Sequence, residues 1–326
     1  MRFAVIGAGG VGTLVAVLLA RGGSDVVLLA RPAAAAVIRE RGGHIDGPLA
    51  RDDGFVPLEV TDDPRDLRAD VAILCVKAHQ LEGVVDAYGA ALDAAQAIVV
   101  MQNGIPWWYF SGVAGPNRDR RIVAVDPHGR LGSAIPAAKV VGGIVEAAGL
   151  VIEPGVVRSG AAARFTLGAP DGTVGTGTPE LAAALIAGGA EAIATTDIRL
   201  AVWRKLLGNV APLPMSALTR AVPREMCETP EVLAFMIDVL TEVIAVAAAY
   251  GIELGVTAAE RLEQTRRVGT HPPSMLQDLL AGKKLELDAV TGAAIELGGV
   301  AGVPMPATRR LDALTRLLQH SIDTRG

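Results

Sequence analysis

The chain has 326 residues, a net charge of -5 and a hydrophobic content of 51%, enough to bury a core in each of about two domains. The acidic balance argues against a nucleic-acid partner, which would favour a basic surface. The two cysteines lie far apart, and neither they nor the five histidines have the spacing of a metal site. We therefore expect a cytoplasmic protein with no disulfide framework and no metal.

The apolar run from Phe3 to Ala20 has the length and low charge of a signal peptide or a membrane span. Its four glycines form a patterned cluster, and a second apolar strand follows it, so we interpret it as part of a globular domain. No later segment is expected to span a bilayer, and no membrane partner is predicted.

Short apolar strands alternate with helical patterns along the first half of the chain. Strands are predicted at "RFAVIG", "SDVVLLAR", "ADVAILCVK" and "AAQAIVVMQNG", and helices at "VGTLVAVLLARG", "AAAAVIRERGG" and "QLEGVVDAYGAAL". This alternation indicates a parallel sheet, and the continuous apolar character of the strands indicates that both faces of the sheet are covered.

The pattern changes between Val140 and Gly172, where short strands are separated by Gly and Pro turns. We predict that these strands add an antiparallel edge to the same sheet. From Asp197 onward nearly every segment has a helical pattern. The sequence therefore predicts an α/β domain over residues 1–196 followed by an all-α domain over residues 197–326.

The stretch "GAGGVG" lies between the first strand and the first helix. Gly7, Gly9 and Gly12 have the spacing of a dinucleotide-binding turn, and Gly10 and Val11 complete it. In such a turn the first glycine permits the tight bend, the second lets the backbone approach a pyrophosphate, and the third allows close helix packing. We predict a Rossmann-type cofactor site here; the alternative is a glycine-rich turn without function.

Three polar residues follow predicted parallel strands, where open α/β sheets bind ligands. Arg31 ends the second strand, where an NAD-binding fold usually has an acidic residue, so a cation there predicts NADPH or NADP through its 2′-phosphate. Lys77 and Asn103 end later strands and are candidate cleft residues. The alternatives are a solvated arginine, an exposed lysine and a plain Asn103-Gly104 turn.

Lys205 is one of only 5 lysines in a chain that has 25 arginines. Lys205 and Asn209 share one face of a predicted helix, which Pro212 and Pro214 should break or kink. A desolvated ammonium can act as an acid near neutral pH, whereas a guanidinium cannot. Lys205 is therefore a candidate acid in a cavity wall; the alternative is a lysine on the helix surface.

Two further polar positions lie in the helical half. Ser274 is a candidate N-cap, with Gln277 completing a capping box. Glu286 lies between apolar neighbours and is a candidate for an inward-pointing carboxylate. Spacing alone favours a structural role for both.

Taken in order, "GAGGVG", "LLAR", "CVKAHQ", "MQNG", "DIRLAVWRKLLGN", "SMLQDL" and "LELDAVTG" resemble the ketopantoate reductase (2-dehydropantoate 2-reductase) family over nearly the whole chain. The resemblance implies an NADPH-binding Rossmann domain, an α-helical domain and an active site between them. It also implies hydride transfer from NADPH to the ketone of a small-molecule 2-keto acid, with ketopantoate as the first choice. A homodimer is left open.

The resemblance also implies roles for individual residues. Lys205 corresponds to the catalytic lysine, and Glu286 is expected to act with it. Lys77 and Asn103 match cleft residues near the cofactor. The substrate-contacting positions correspond to Asn103, Lys205, Asn209, Ser274 and Glu286.

One position departs from the family pattern. The family usually has a second asparagine four residues after the first, and Leu213 stands there in this chain. The departure favours a less polar 2-keto or 2-hydroxy acid as the alternative substrate, unless His128 or Ser216 supplies the missing polar group. A non-catalytic NADP(H)-binding regulatory module is the alternative from another class of function.

Overall fold

The computed structural model describes residues 1–51, 54–147 and 149–325. The chain divides into two compact units. The first unit comprises Met1–Gln102, Trp107–Arg121 and Gly129–Ile198. The second comprises Asn103–Pro106, Ile122–His128 and Arg199–Gly326. Two short segments from the first half of the chain therefore belong to the helical second unit.

The strands are β1 Arg2–Ile6, β2 Asp25–Leu29, β3 His44–Asp46, β4 Glu59–Thr61, β5 Val71–Leu74, β6 Ala97–Val100, β7 Val140–Glu146, β8 Gly149–Glu153, β9 Val156–Ser159, β10 Arg164–Gly168 and β11 Glu191–Ala194. The helices are α1 Gly10–Arg21, α2 Pro32–Arg41, α3 Leu81–Ala94, α4 Arg130–Ala134, α5 Thr178–Ala187, α6 Ile198–Asn209, α7 Pro212–Thr219, α8 Pro223–Glu228, α9 Pro230–Ala249, α10 Ala258–Arg267, α11 Ser274–Leu280, α12 Ala293–Ala301 and α13 Pro306–Arg325.

An eight-stranded sheet forms the centre of the first unit, in the order β11-β10-β7-β6-β5-β1-β2-β4. Six adjacent strands of this sheet are all parallel to one another: β4, β2, β1, β5, β6 and β7. Numbered along the chain, these six have the order 3-2-1-4-5-6, which is that of a dinucleotide-binding fold. The Rossmann-type architecture predicted from the sequence is confirmed.

The predicted antiparallel edge is correct in only one pairing. β7 joins β6 in parallel, β10 is antiparallel to β7, and β11 is parallel to β10. The hairpin of β8 and β9 leaves this sheet and forms a second one with β3. An ideal Cβ built on Gly10 would lie 1.9 Å from the carbonyl oxygen of Gly149, so the backbone of β8 lies directly on the first turn of α1. The sequence pattern identified the strands but not their partners.

The second unit is helical, and its longest apolar element is α9. This helix has 20 residues and contains a window of mean hydropathy 2.2, so it is long and apolar enough to cross a bilayer by that test alone. The expectation that no later segment would pass was wrong. Met236, Val239 and Leu240 of α9 are fully buried in the unit. About a third of that window is buried (33%), and a core helix passes the same hydropathy test, so length and composition alone do not make α9 a membrane span.

The predicted break after Asn209 is confirmed. The helix α6 ends at Asn209, and α7 begins at Pro212. Proline is well accommodated in the first turn of a helix, where its missing N–H has no intrahelical acceptor, but not in the interior. Pro212 therefore ends one helix and starts the next.

Candidate active site

The glycine-rich turn connects β1 to α1, and the fold itself requires glycine at positions 7, 10 and 12. Gly7 has φ +109°, and a Cβ there would lie 2.8 Å from a methyl carbon of Val76. A Cβ on Gly12 would lie 1.8 Å from the carbonyl oxygen of Gly7. Gly7 is needed for the tight bend, and Gly12 for the close packing of α1 on the turn, as expected for a dinucleotide-binding turn.

Gly9 differs from its neighbours, because no described atom comes within 4 Å of an ideal Cβ there. Its φ is -82°, which any residue can adopt. The fold therefore does not require glycine at position 9, and the open space lies beside the N-terminus of a 12-residue helix. A pyrophosphate fits such a place, because the first N–H groups of a helix have no intrahelical acceptors. Gly10 packs on Gly149, and Val11 lies in the same first turn of α1.

Arg31 and Lys77 lie on either side of this turn. β2 and β5 both pair with β1, so the residues that follow them reach the same edge of the sheet. Arg31 is the exposed N-cap residue of α2. Lys77 is half-buried, and its backbone N–H donates to Oε1 of Gln80 at 3.1 Å. The edge thus offers cations that suit the phosphates of a dinucleotide.

Cys75 lies directly beneath the turn, at the end of β5. A Cβ on Gly12 would lie 3.1 Å from that of Cys75. Loss of hydration raises the pKa of the Cys75 thiol to about 12, so the thiol is protonated at neutral pH. Cys75 and Cys227 are both free cysteines. Within the described residues, no three His, Cys, Asp or Glu side chains form a group that could hold a metal ion.

In the second unit, α6 carries Lys205 and Asn209 on one face. Lys205, Gly208 and Asn209 are half-buried, whereas Trp203 and Leu207 are fully buried. At 100° per residue, the three half-buried positions span one continuous side of the helix. The buried side chains anchor α6 in the core and leave this face partly exposed.

Asn103 and Glu286 are brought together within the same unit. Nδ2 of Asn103 donates to Oε2 of Glu286 at 3.1 Å. The next residue, Gly104, has φ +81°, and a Cβ there would lie 2.1 Å from the carbonyl oxygen of Ala289. The N–H of Ile105 donates to that same oxygen at 2.8 Å. The Asn-Gly turn is therefore docked on the segment that carries Glu286.

That segment contains a π-helical turn, Asp288–Gly292, which continues into α12. Such turns are rare and are frequently found at functional sites. Further along the same helix, Glu296 accepts hydrogen bonds from the N–H groups of Val123 and Ala124, both at 2.8 Å. One helix thus holds both short segments that come from the first half of the chain. Nothing in the sequence pattern had indicated the role of Glu296.

The predicted capping box at Ser274 is wrong. The N-cap of α11 is Pro273, and Ser274 is the exposed first residue of the helix. Gln277 instead donates through Nε2 to the carbonyl oxygen of Pro272 at 2.8 Å. The proline supplies the fixed extended conformation that a cap requires, which leaves the Ser274 hydroxyl available for another role.

Leu213 is buried in α7, with 6% of its surface exposed. Ser216 is completely buried, and its hydroxyl donates to the carbonyl oxygen of Leu213 at 2.7 Å. This bond occupies the donor of Ser216, which argues against its replacing the family asparagine. His128 is exposed and lies in the 122–128 segment.

The strand order and the glycine turn are those of a dinucleotide-binding fold, and the helical unit places Lys205 on one face of α6. Together these features define a dinucleotide-binding oxidoreductase. Two family models cover most of the chain: ketopantoate reductase PanE/ApbA over residues 3–172, and its C-terminal model over residues 197–319. The chain belongs to the ketopantoate reductase family.

Individual relatives span nearly the full length. The 2-dehydropantoate 2-reductase of Mesorhizobium japonicum is 34% identical over 98% of each chain. A crystal structure from Ralstonia solanacearum MolK2 has a TM-score of 0.90 and 33% identity, and covers 98% of each chain. D-mandelate dehydrogenase, solved with NADH and anilino(oxo)acetate, has a TM-score of 0.81 at 21% identity over 99% of this chain and 100% of its own. At that identity the last comparison shows the fold alone.

Proposed function

We propose that this protein reduces 2-dehydropantoate (ketopantoate) to pantoate with NADPH. One observation carries the proposal: the hydrogen bond between Asn103 and Glu286 joins two of the polar residues expected from the family, across 183 positions of the chain. Lys205 and Asn209 lie in the same unit, on one half-buried helix face. An amide, a carboxylate and an ammonium supply hydrogen-bond donors and an acceptor that can bind the oxygens and the hydroxyl of a hydroxylated 2-keto acid.

The first unit would hold the cofactor. The open space at Gly9 and the N-terminus of α1 suit the pyrophosphate, and Arg31 suits a 2′-phosphate. Lys77 adds a cation at the same edge. When bound, NADPH supplies a hydride, which no amino-acid side chain can provide.

The second unit would hold and activate the keto acid. The Lys205 ammonium donates a hydrogen bond to the keto oxygen and stabilises the negative charge that develops there as C2 is reduced. It then transfers a proton to that oxygen, and the neutral amine regains a proton from water. Asn103 and Asn209 orient the substrate, Ser274 contacts it, and Glu286 accepts a hydrogen bond from its hydroxyl. The hydride and this proton together account for both hydrogens added to the carbonyl.

A second candidate function is the reduction of a less polar 2-keto acid. The buried Leu213 favours it, because an alkyl group stands where the family usually has an amide. A hydrogen-bonding site rejects substrates that lack its partner far more strongly than an apolar wall does.

The test is a panel of 2-keto acids with NADPH and NADH, followed by the loss of reduced-cofactor absorbance. Turnover of ketopantoate with the highest kcat/KM, and its loss in Lys205→Ala, would support the first function. A higher kcat/KM for alkyl or aryl keto acids would support the second. Cofactor binding without turnover of any keto acid would contradict both and favour the regulatory module.

A further inference from the structure

Three side chains of the C-terminal helix α13 bind the segment that carries Glu286. They are Asp312, Arg316 and Gln319, whose spacing of four and three residues places them on one face of the helix. Each of the three has a partner within residues 285–291, a stretch that includes most of the π-helical turn. One face of α13 is thus matched to one short segment.

The π-helical turn is tied to α13 at both of its ends. Nη1 of Arg316 donates to Oδ1 of Asp288, and Nε of Arg316 donates to Oδ2 of Asp312, both at 2.8 Å. Oδ1 of Asp312 accepts a hydrogen bond from the completely buried hydroxyl of Thr291 at 2.5 Å. A Cβ on Gly292 would lie 3.0 Å from Nη2 of Arg316, so the guanidinium also lies close to the last residue of the turn.

The backbone around Glu286 is held on both sides. The N–H of Leu285 donates to Oε1 of Gln319 at 2.9 Å. The carbonyl oxygen of Glu286 accepts the N–H of Val290, in the π-helical turn, at 3.2 Å. Leu285 and Leu287 are both buried. The backbone from which the Glu286 carboxylate extends is therefore fixed by α13, directly at one residue and through the turn at the next.

The same turn also holds the hydrogen-bond partner of Glu286. The carbonyl oxygen of Ala289 accepts the N–H of Ile105, two residues after Asn103, at 2.8 Å. Asn103 and Glu286 are thus both attached to the turn and joined to each other at 3.1 Å. A displacement of the turn would move both groups, and a misplacement of about 1 Å can lower a rate by roughly 100-fold.

We propose that α13 positions the Asn103–Glu286 pair for substrate recognition, with Arg316 and Gln319 as positioning residues that act through the 285–292 segment. The inference rests on the proposed function, because it takes Glu286 as the acceptor for the substrate hydroxyl. The Arg316 side chain is 44% exposed, and an exposed ion pair by itself contributes little to stability. Loss of Arg316 should therefore change the geometry of the pair more than the stability of the fold.

The first experiment compares ketopantoate with a 2-keto acid of similar size that lacks the hydroxyl. Arg316→Gln should lower kcat/KM for ketopantoate by roughly 10- to 100-fold, and for the other acid by less than about threefold. Arg316→Lys should recover part of the loss, because an ammonium keeps the charge but lacks the fork that reaches both carboxylates. In a Glu286→Ala background, Arg316→Gln should leave the ratio of the two substrates unchanged, since its effect passes through Glu286.

Hydrogen exchange supplies a readout that does not depend on turnover. The Ile105 amide should exchange at least about tenfold faster in Arg316→Gln, because its acceptor belongs to the turn. Gln319→Ala removes the second attachment and should show the same selective loss for ketopantoate. Arg266→Gln is the matched control, because its side chain is 48% exposed and its Nε also donates to a carboxylate, that of Glu263, at 2.8 Å. It should change neither the exchange of Ile105 nor the substrate ratio.

Equal losses for both substrates in Arg316→Gln and Gln319→Ala would overturn the inference and make the two residues structural. Unchanged exchange of Ile105 in folded Arg316→Gln would also overturn it. A wild-type protein that reduces no 2-keto acid would contradict the proposed function, whereas the exchange of Ile105 would still decide whether α13 holds this pair in place. The two failures are therefore distinguishable.

Discussion

Asn103 donates a hydrogen bond to Glu286 at 3.1 Å, within the second unit, although 183 positions separate the two residues. Asn103 follows β6 of the parallel sheet in sequence, yet it packs with the helical unit. The Asn-Gly turn is docked on Ala289, so the amide of Asn103 and the carboxylate of Glu286 are fixed by the same short segment.

We expect Glu286→Ala to lower kcat/KM for a hydroxylated keto acid far more than for a plain alkyl keto acid. The variant removes the carboxylate, so the substrate hydroxyl and the Asn103 amide would both lose their hydrogen-bond acceptor. Glu286→Gln keeps an oxygen for Asn103 and should fall between wild type and alanine. Equal losses for both substrates would show that Glu286 acts structurally or through its charge alone.

Lys205→Ala should lower kcat by about 10²–10⁴, the usual contribution of a positioned acid. Cofactor binding, measured by fluorescence titration, should persist because the glycine turn and Arg31 belong to the other unit. Lys205→Arg should not restore turnover, since a guanidinium keeps its proton. Normal turnover in either variant would exclude Lys205 as the acid.

Arg31→Ala should weaken NADPH binding by roughly tenfold or more, because charge-assisted hydrogen bonds to the 2′-phosphate are lost. NADH, which lacks that phosphate, should bind as before. Dissociation constants for both cofactors check the prediction. If both weaken alike, Arg31 does not distinguish them.

Gly9→Ala and Gly10→Ala form a matched pair on adjacent residues. A methyl group at position 9 meets open space, so the melting temperature should hold while cofactor affinity falls. A methyl group at position 10 meets backbone of Gly149 at 1.9 Å, and overpacking of this kind destabilises by about 1–3 kcal/mol. Thermal melts and cofactor titrations of both variants test this. A destabilised Gly9→Ala with normal affinity would contradict a pyrophosphate site there.

Leu213→Asn should shift preference toward ketopantoate over a keto acid of similar size without the hydroxyl. A hydrogen-bonding site can reject such an analogue by about 10⁴–10⁵, whereas an apolar wall discriminates by only roughly 10². The measurement is the ratio of kcat/KM values for the two substrates in wild type and variant. A ratio that does not move would remove Leu213 from the determinants of specificity and leave ketopantoate as the default substrate.

The local elements of this protein follow from its sequence, because each depends on neighbours a few residues apart. Glycine spacing placed the turn between β1 and α1, and Pro212 separated α6 from α7. The residue types at Arg31, Lys77 and Lys205 by themselves indicate cofactor binding and acid chemistry. Such patterns report periodicity and backbone restriction, which are local properties.

The tertiary structure decided what depends on distant partners. It separated β8 and β9 from the main sheet and placed β8 on the first turn of α1, where Gly10 and Gly149 come close together although they are far apart in the chain. It also joined Asn103 to Glu286. Hydrogen bonding and close packing between distant segments depend on three-dimensional position, and residue periodicity carries no information about which distant backbone fills a gap.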